Sequence, residues 1–122
     1  MTEQRFDVQH RPDESRYVLI DREVKSADDR IIGEESYVDV TGANGRIERV
    51  LFHTAVSDDY GGQGLASSLV QQVVEDVIAN EHTIVPVCSY VAKWLPKHPE
   101  YNTNVIKPKP AHLQAVSDHQ KT

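Results

Sequence analysis

The glycine-rich run Tyr60-Gly61-Gly62-Gln63-Gly64-Leu65-Ala66 has the composition of an anion holder. It stands between an apolar run, Val50 to Val56, and an amphipathic run, Leu65 to Ile78. A strand feeding a glycine turn that opens a helix offers unpaired N–H donors at the positive end of a helix dipole. Glycines let the backbone approach the anion with no side chain between. This spacing suits a phosphate-bearing cofactor, and three kinds compete. A P-loop requires Lys followed by Ser or Thr after its last glycine, and neither follows Gly64. A dinucleotide fold requires Gly-x-Gly-x-x-Gly early in a parallel βαβ series, with an acidic ribose ligand further on. Here the spacing differs and the turn follows an antiparallel meander. Coenzyme A is the third reading.

The elements that must position this turn follow from hydrophobic pattern. Arg16 to Asp21 reads as a first strand around Tyr17-Val18-Leu19-Ile20, and Asp21 to Arg30 as a polar loop. Ile31 to Val40 reads as a second strand, with Gly33 as a bulge candidate. Asn44-Gly45 is a strong hairpin signal, returning the chain through Ile47 to Val56 as a third strand. Leu65, Leu69, Val73 and Val77 then recur at helical spacing, widened by Val70, Val74 and Ile78, and predict a core-facing helix. Thr83 to Val87 reads as a buried strand, and Ser89 to Leu95 as a short helix stopped by Pro96. Strand, helix and strand make a right-handed βαβ unit. The expected fold is α/β (α+β), a small mixed sheet with an antiparallel meander followed by that unit. Residues 1–15 are expected as a flexible arm or short edge strand, 16–103 as the domain, and 104–122 as a mobile tail.

Composition narrows the partners. The 122 residues make one ordinary domain, with 39% hydrophobic content. No run approaches the length that spans a bilayer, and the polar start lacks a signal-peptide core, so a cytoplasmic home without membrane attachment is expected. The single Cys88 makes no internal disulfide, in keeping with a reducing compartment. A net charge of −6 disfavours nucleic acid and suits a cationic partner such as an amine or basic peptide. No metal site is expected, and the sequence leaves the oligomeric state open.

Four blocks in order carry a family resemblance. They are His53-Thr54-x-Val56, Gly61-Gly62-Gln63-Gly64-Leu65-Ala66, Val85-Pro86-x-Cys88-Ser89-Tyr90-Val91 and His98-Pro99-Glu100-Tyr101. Together they resemble a small, single-domain branch of the GNAT superfamily of acyl-CoA-dependent N-acetyltransferases, over residues 16–101. That family's loop reads Arg/Gln-x-x-Gly-x-Gly/Ala; Gly61 stands here where Arg or Gln is usual.

The resemblance implies acetyl-CoA as acyl donor and an amine as acceptor. It implies that the strands flanking the helix splay apart and admit the pantetheine arm, which pairs with Val56 and its neighbours. Backbone N–H groups from Gly61 through Gly62, Gln63, Gly64 and Leu65 to Ala66, with Ser67, would hold the pyrophosphate, and Ser89 and Lys93 would add cofactor contacts. Acyl transfer requires a polarised carbonyl, a deprotonated amine and a departing thiolate. Backbone donors near the splay suit the first need, and His53 is the candidate base for the second, since an imidazole titrates near neutral pH. Cys88 ends the second parallel strand at a helix start, a setting that favours a thiolate able to carry the acyl group. The chemistry is thus direct transfer or transfer through Cys88. Two further readings remain: a non-catalytic CoA-binding module, and a thiol redox protein using Cys88. Glu34, Glu35 and Asp39 are expected on a solvated strand face, with attraction of a basic acceptor as the alternative.

Overall fold

The computed structural model describes residues 5–26 and 30–121. Among these, strands β1 (Phe6–Arg11), β2 (Arg16–Asp21), β3 (Ile31–Thr41), β4 (Ile47–Val56) and β5 (Thr83–Pro86) form one five-stranded sheet in sequence order. The first four are antiparallel, and β5 joins β4 in parallel. The meander and βαβ unit read from sequence are therefore the observed topology. Of the arm expected over residues 1–15, Phe6–Arg11 forms the edge strand, and residues 1–4 lie outside the described residues. The loop expected from Asp21 to Arg30 likewise includes residues 27–29, which lie outside them.

Helix α1 (Leu65–Ala79) lays its apolar stripe on one face of the sheet. Leu69, Val70, Val73, Val74 and Val77 are fully buried there with Leu51, Tyr37 and Ile84. Helix α2 (Ser89–Trp94) adds Val91 and Trp94 to the same core. Tertiary burial of this stripe stabilises α1 more than propensity does, since its four valines are indifferent helix formers. A polar seam joins the sheet to α1: Tyr17 donates to Asp76 at 2.6 Å and accepts from Arg49 at 2.9 Å. Arg49 forks onto Asp39 through two bonds of 2.8 and 2.9 Å, so Asp39 is committed to the fold.

The register shifts twice, with consequences for the site. Leu19 pairs Gly33 while Ile20 pairs Ile31, which places a bulge at Ile32, beside the expected Gly33. Ser36 pairs His53 while Tyr37 pairs Leu51, which leaves Phe52 as an extra residue on β4. A bulge resets the alternation of faces. Leu51 and Thr54 therefore both face α1, and His53 faces away from it.

The C-terminal segment corrects an expectation. Residues 104–122 do not read as structured, yet Val105 bridges to Ile84 and helix α3 (Pro110–Gln120) packs on the sheet face opposite α1. The cause is polar rather than apolar, which is why the hydrophobic pattern is silent. Lys109 N–H donates to His112 Nδ1 at 2.9 Å, and the buried ring reaches Glu48 Oε1 through Nε2 at 2.7 Å. Pro110 sits at the first helical position, where its missing N–H costs nothing. Residue 122 lies outside the described residues.

The apolar stripe between α1 and the sheet is open to a direct stability test. Leu69→Ala removes a fully buried side chain and is expected to cost about 3 kcal/mol, read as a lower urea midpoint at an unchanged m-value.

Candidate functional site

Strands β4 and β5 pair from Glu48 with Thr83 to Leu51 with Pro86 and no further. Pro86 has no N–H to extend the ladder. The next two residues, Val87 and Cys88, both donate to the one carbonyl of Leu51, at 3.0 and 2.9 Å. The chain then turns into α2, while β4 runs on to Val56. The β5-side edge of β4 is thus left open over residues 52–56, beside the Phe52 bulge. The two strands thus part in the way the family resemblance implies.

Beyond Val56 the chain makes a short 3-10 turn, Asp58–Tyr60, and enters the glycine loop. Tyr60 donates to buried Asp21 at 2.5 Å, and Arg5 forks onto the same carboxylate at 3.0 and 3.1 Å. The Arg5 guanidinium, then the Tyr60 hydroxyl, hold Asp21 far below the usual carboxylate range. The loop is therefore anchored to β2 at its entrance. Gly62 and Gly64 have φ of +80° and +69°, a region that side chains disfavour, and the space where their Cβ atoms would sit is open. Gly64 caps α1 without any side-chain cap bond, and the first turn of the helix lines a cleft of about 220 Å³. That cleft runs from Val56 past Gly61, Gly62, Gly64, Leu65, Ala66 and Ser67 to Tyr90. Of the expected anion-binding set, Gln63 does not line it, and the Ser67 hydroxyl accepts from Trp94 Nε1 at 2.9 Å. Ser67 retains its own O–H for a ligand. Asp58 also lines the cleft, so an anion there depends on backbone donors and nearby cations. Lys93 and Lys97 supply those around Tyr90, on the adjoining surface. Ser89, the first residue of α2, is exposed.

Cys88 is half-buried at the splay, and the residue its thiol meets is Thr54. Thr54 Oγ1 lies 3.2 Å from Cys88 Sγ and donates a short hydrogen bond to Glu35 Oε1. Glu35 is fully buried, and its Oε2 has no hydrogen-bond partner. Burial pushes its carboxyl up to about 8, against the opposing pull of the Thr54 and His53 hydrogen bonds. The solvated-face expectation fails for Glu35: β3 turns Gly33, Glu35 and Tyr37 toward α1. Sequence reasoning named Glu35 only as a strand-face carboxylate and gave Thr54 no role, so it missed their place beside Cys88. The one available signal was Thr54 itself, inside the His53-Thr54 block. His53 is exposed and, by strand alternation, projects from the opposite face to Thr54. The fold therefore brings Cys88, Thr54 and Glu35 together and leaves His53 outside that group. Tyr101 donates to Glu75 at 2.9 Å and stacks near Trp94, a packing role.

The profile of the family described as GCN5-related N-acetyl-transferase matches residues 21–105. The chain belongs to this family. The fold of this GCN5-related domain is similar to the solution structure of a GCN5-like protein from Staphylococcus aureus. That match has a TM-score of 0.60 and 25% identity, and covers 90% of this chain and 97% of that one. Longer chains match over part of their length. One is the NatC complex bound to Gag peptide and CoA, with TM-score 0.48 and 22% identity over 58% of this chain and 45% of that one. Another is Arabidopsis thaliana Naa50 with the bisubstrate analogue CoA-Ac-MVNAL, with TM-score 0.45 and 17% identity over 58% of this chain and 44% of that one. This GCN5-related domain thus spans less than half of those two chains. No curated protein matches the sequence. Among the described residues, no helix is long and apolar enough to cross a membrane.

Glu35 gives the domain a stability signature. Its carboxyl binds a proton more tightly when folded than when unfolded. The folded state therefore holds the excess proton between about pH 4.5 and about pH 8. The contribution of neutral Glu35 is complete below that window and is lost as pH rises through it. Melting temperature is expected to fall across this range, and Glu35→Gln to flatten the fall.

Proposed function

We propose that this GCN5-related domain transfers an acetyl group from acetyl-CoA to an amine, with Cys88 as acyl carrier. The observation that carries the reading is the open edge of β4 from Phe52 to Val56, which leads into the uncapped start of α1. An extended pantetheine arm would complete the β4 edge as an added strand does. The pyrophosphate would then meet the N–H groups from Gly61 to Ala66, with Ser67 in the cleft and Lys93 and Lys97 on the adjoining surface. Acetyl-CoA supplies an activated acyl group. The chain's own part is to align the thioester carbonyl beside Cys88 and to hold the sulfur where it can attack. Loop contacts are mostly backbone, which accounts for Gly61 standing where the family usually has a longer side chain.

The acceptor approaches an acidic molecule of net charge −6, which favours a protonated amine or a basic peptide. His53, exposed on the other face, is better placed to meet such an acceptor than to serve the thiol. Direct transfer, with His53 as base, is the competing route.

Acetyl-CoA and CoA, but not ATP or NAD, are expected to raise the melting temperature. At 100 times Kd the gain is roughly 2.7 kcal/mol, and absence of any gain sinks the proposal. Gly64→Ala forces a side chain into the left-handed region and is expected to cost about 1–2 kcal/mol of stability and to weaken that ligand shift. Mixing with acetyl-CoA is expected to leave an acetyl adduct on Cys88 by mass spectrometry. Turnover persisting in Cys88→Ser, with a panel of amines and basic peptides, shows direct transfer instead.

A further inference from the structure

We infer that Glu35 and Thr54 form a proton relay that takes the proton from the Cys88 thiol and returns it, acting through Cys88 as positioning residues. The inference rests on the acyl-carrier reading above and adds to it the group that makes the thiol a nucleophile.

Thr54 carries one hydroxyl proton. When that proton is donated to Glu35 Oε1, the remaining lone pairs of Oγ1 face Cys88 Sγ, and the thiol donates to them. The three groups then form a directed chain from sulfur to hydroxyl to carboxylate. When Glu35 is protonated, the same chain runs in reverse, with the acid donating to Thr54 and Thr54 to sulfur. A structural buried glutamate would be expected to have both oxygens satisfied. Glu35 has one oxygen on Thr54 and the other on nothing, at full burial. An unpaired carboxylate in such a place is costly to ionise. That cost has a use. An ordinary carboxyl titrates near 4.3 and a cysteine thiol near 8.5, a gap of about four units that would leave the proton on sulfur. Burial raises Glu35 to about 8, which narrows that gap and suits the carboxylate to act as base toward a thiol.

The surroundings leave this exchange undisturbed. From β2, Tyr17 stands opposite Glu35 in register, but its hydroxyl is committed to Asp76 and Arg49. From β4, His53 contributes its backbone hydrogen bond, and Thr54 the relay itself. On β3 the neighbouring Glu34 pushes the Glu35 carboxyl further upward. From the β5–α2 junction, Cys88 is the group that faces Thr54.

The step balances as follows. The Cys88 S–H bond breaks, its proton goes to Thr54, and the former Thr54 proton goes to Glu35 Oε1. Negative charge moves from carboxylate to sulfur. The thiolate forms a bond to the acetyl carbon as the bond from that carbon to the CoA sulfur breaks, and CoA leaves as thiolate. When the amine displaces the acetyl group, Cys88 leaves as thiolate and recovers its proton from Glu35 through Thr54. The proton lost by the amine ends on the CoA thiolate, giving an amide and free CoA thiol.

The test is the pH profile of Cys88 alkylation by iodoacetamide in the protein without acetyl-CoA. Two groups sharing a proton titrate as a pair. Wild type and Thr54→Ser are expected to show two steps. Glu35→Gln and Thr54→Val are expected to show one. Superimposable profiles in wild type and Glu35→Gln overturn the relay. A Thr54→Val profile that keeps both steps overturns it too, because charge proximity alone would then explain the coupling. The Thr54 pair decides the matter even where Glu35→Gln fails to fold. Acetylation of Cys88 by acetyl-CoA at pH 8 is expected to slow about 100-fold in Glu35→Gln, with the melting shift induced by CoA unchanged. Failure of acetyl-CoA to bind would remove the acyl-carrier reading but leave the alkylation result standing, so the two failures are distinguishable.

Discussion

The carbonyl of Leu51 accepts from two successive backbone N–H groups, those of Val87 and Cys88, and the site depends on that arrangement. A parallel ladder cannot continue when two donors converge on one acceptor, and Pro86 brings no donor of its own. The strand that should have lain beside β4 is turned aside into α2 instead. Three things follow from this single divergence. The β4 edge is left open, Cys88 comes to rest at the apex of the opening, and α2 is close enough to α1 for Trp94 to bond Ser67.

The bulge at Phe52 is the second half of the same arrangement. Without it, regular alternation from Leu51 would turn His53 toward α1 and Thr54 away. With it, Thr54 stands over Glu35 and under Cys88. The extra residue thus exchanges which member of the His53-Thr54 pair meets the thiol. A single inserted position on a strand changes the chemistry available at the splay while leaving the topology of the sheet untouched.

The rest of the fold keeps this geometry from relaxing. The sheet is held to α1 by an apolar stripe on one side and by the Tyr17, Arg49 and Asp76 seam along its length. The glycine loop is tied at its entrance by Tyr60 on Asp21. The opposite face of the sheet is covered by α3, seated through His112 on Glu48. Polar contacts thus fix the loop entrance and α3, while the apolar stripe carries the contact between α1 and the sheet.

The sequence by itself determined the elements whose signals are local. The turn at Asn44-Gly45 set the β3–β4 hairpin, the four-residue recurrence from Leu65 to Val77 set α1, and the glycine run set its uncapped start. The family followed from four short blocks in order, matched by the profile over residues 21–105. Only the tertiary structure decided what depends on contacts distant in sequence. Helix α3 has no apolar stripe to reveal it, and the contacts that seat it, His112 on Glu48 across 64 residues and His119 against Phe52, join residues distant in sequence. Glu35 looks like any strand carboxylate until the register of two neighbours buries it. The partner of Cys88 could not be read from spacing either, because a bulge moves a strand's side chains between faces and leaves no fixed mark in the residues that form it.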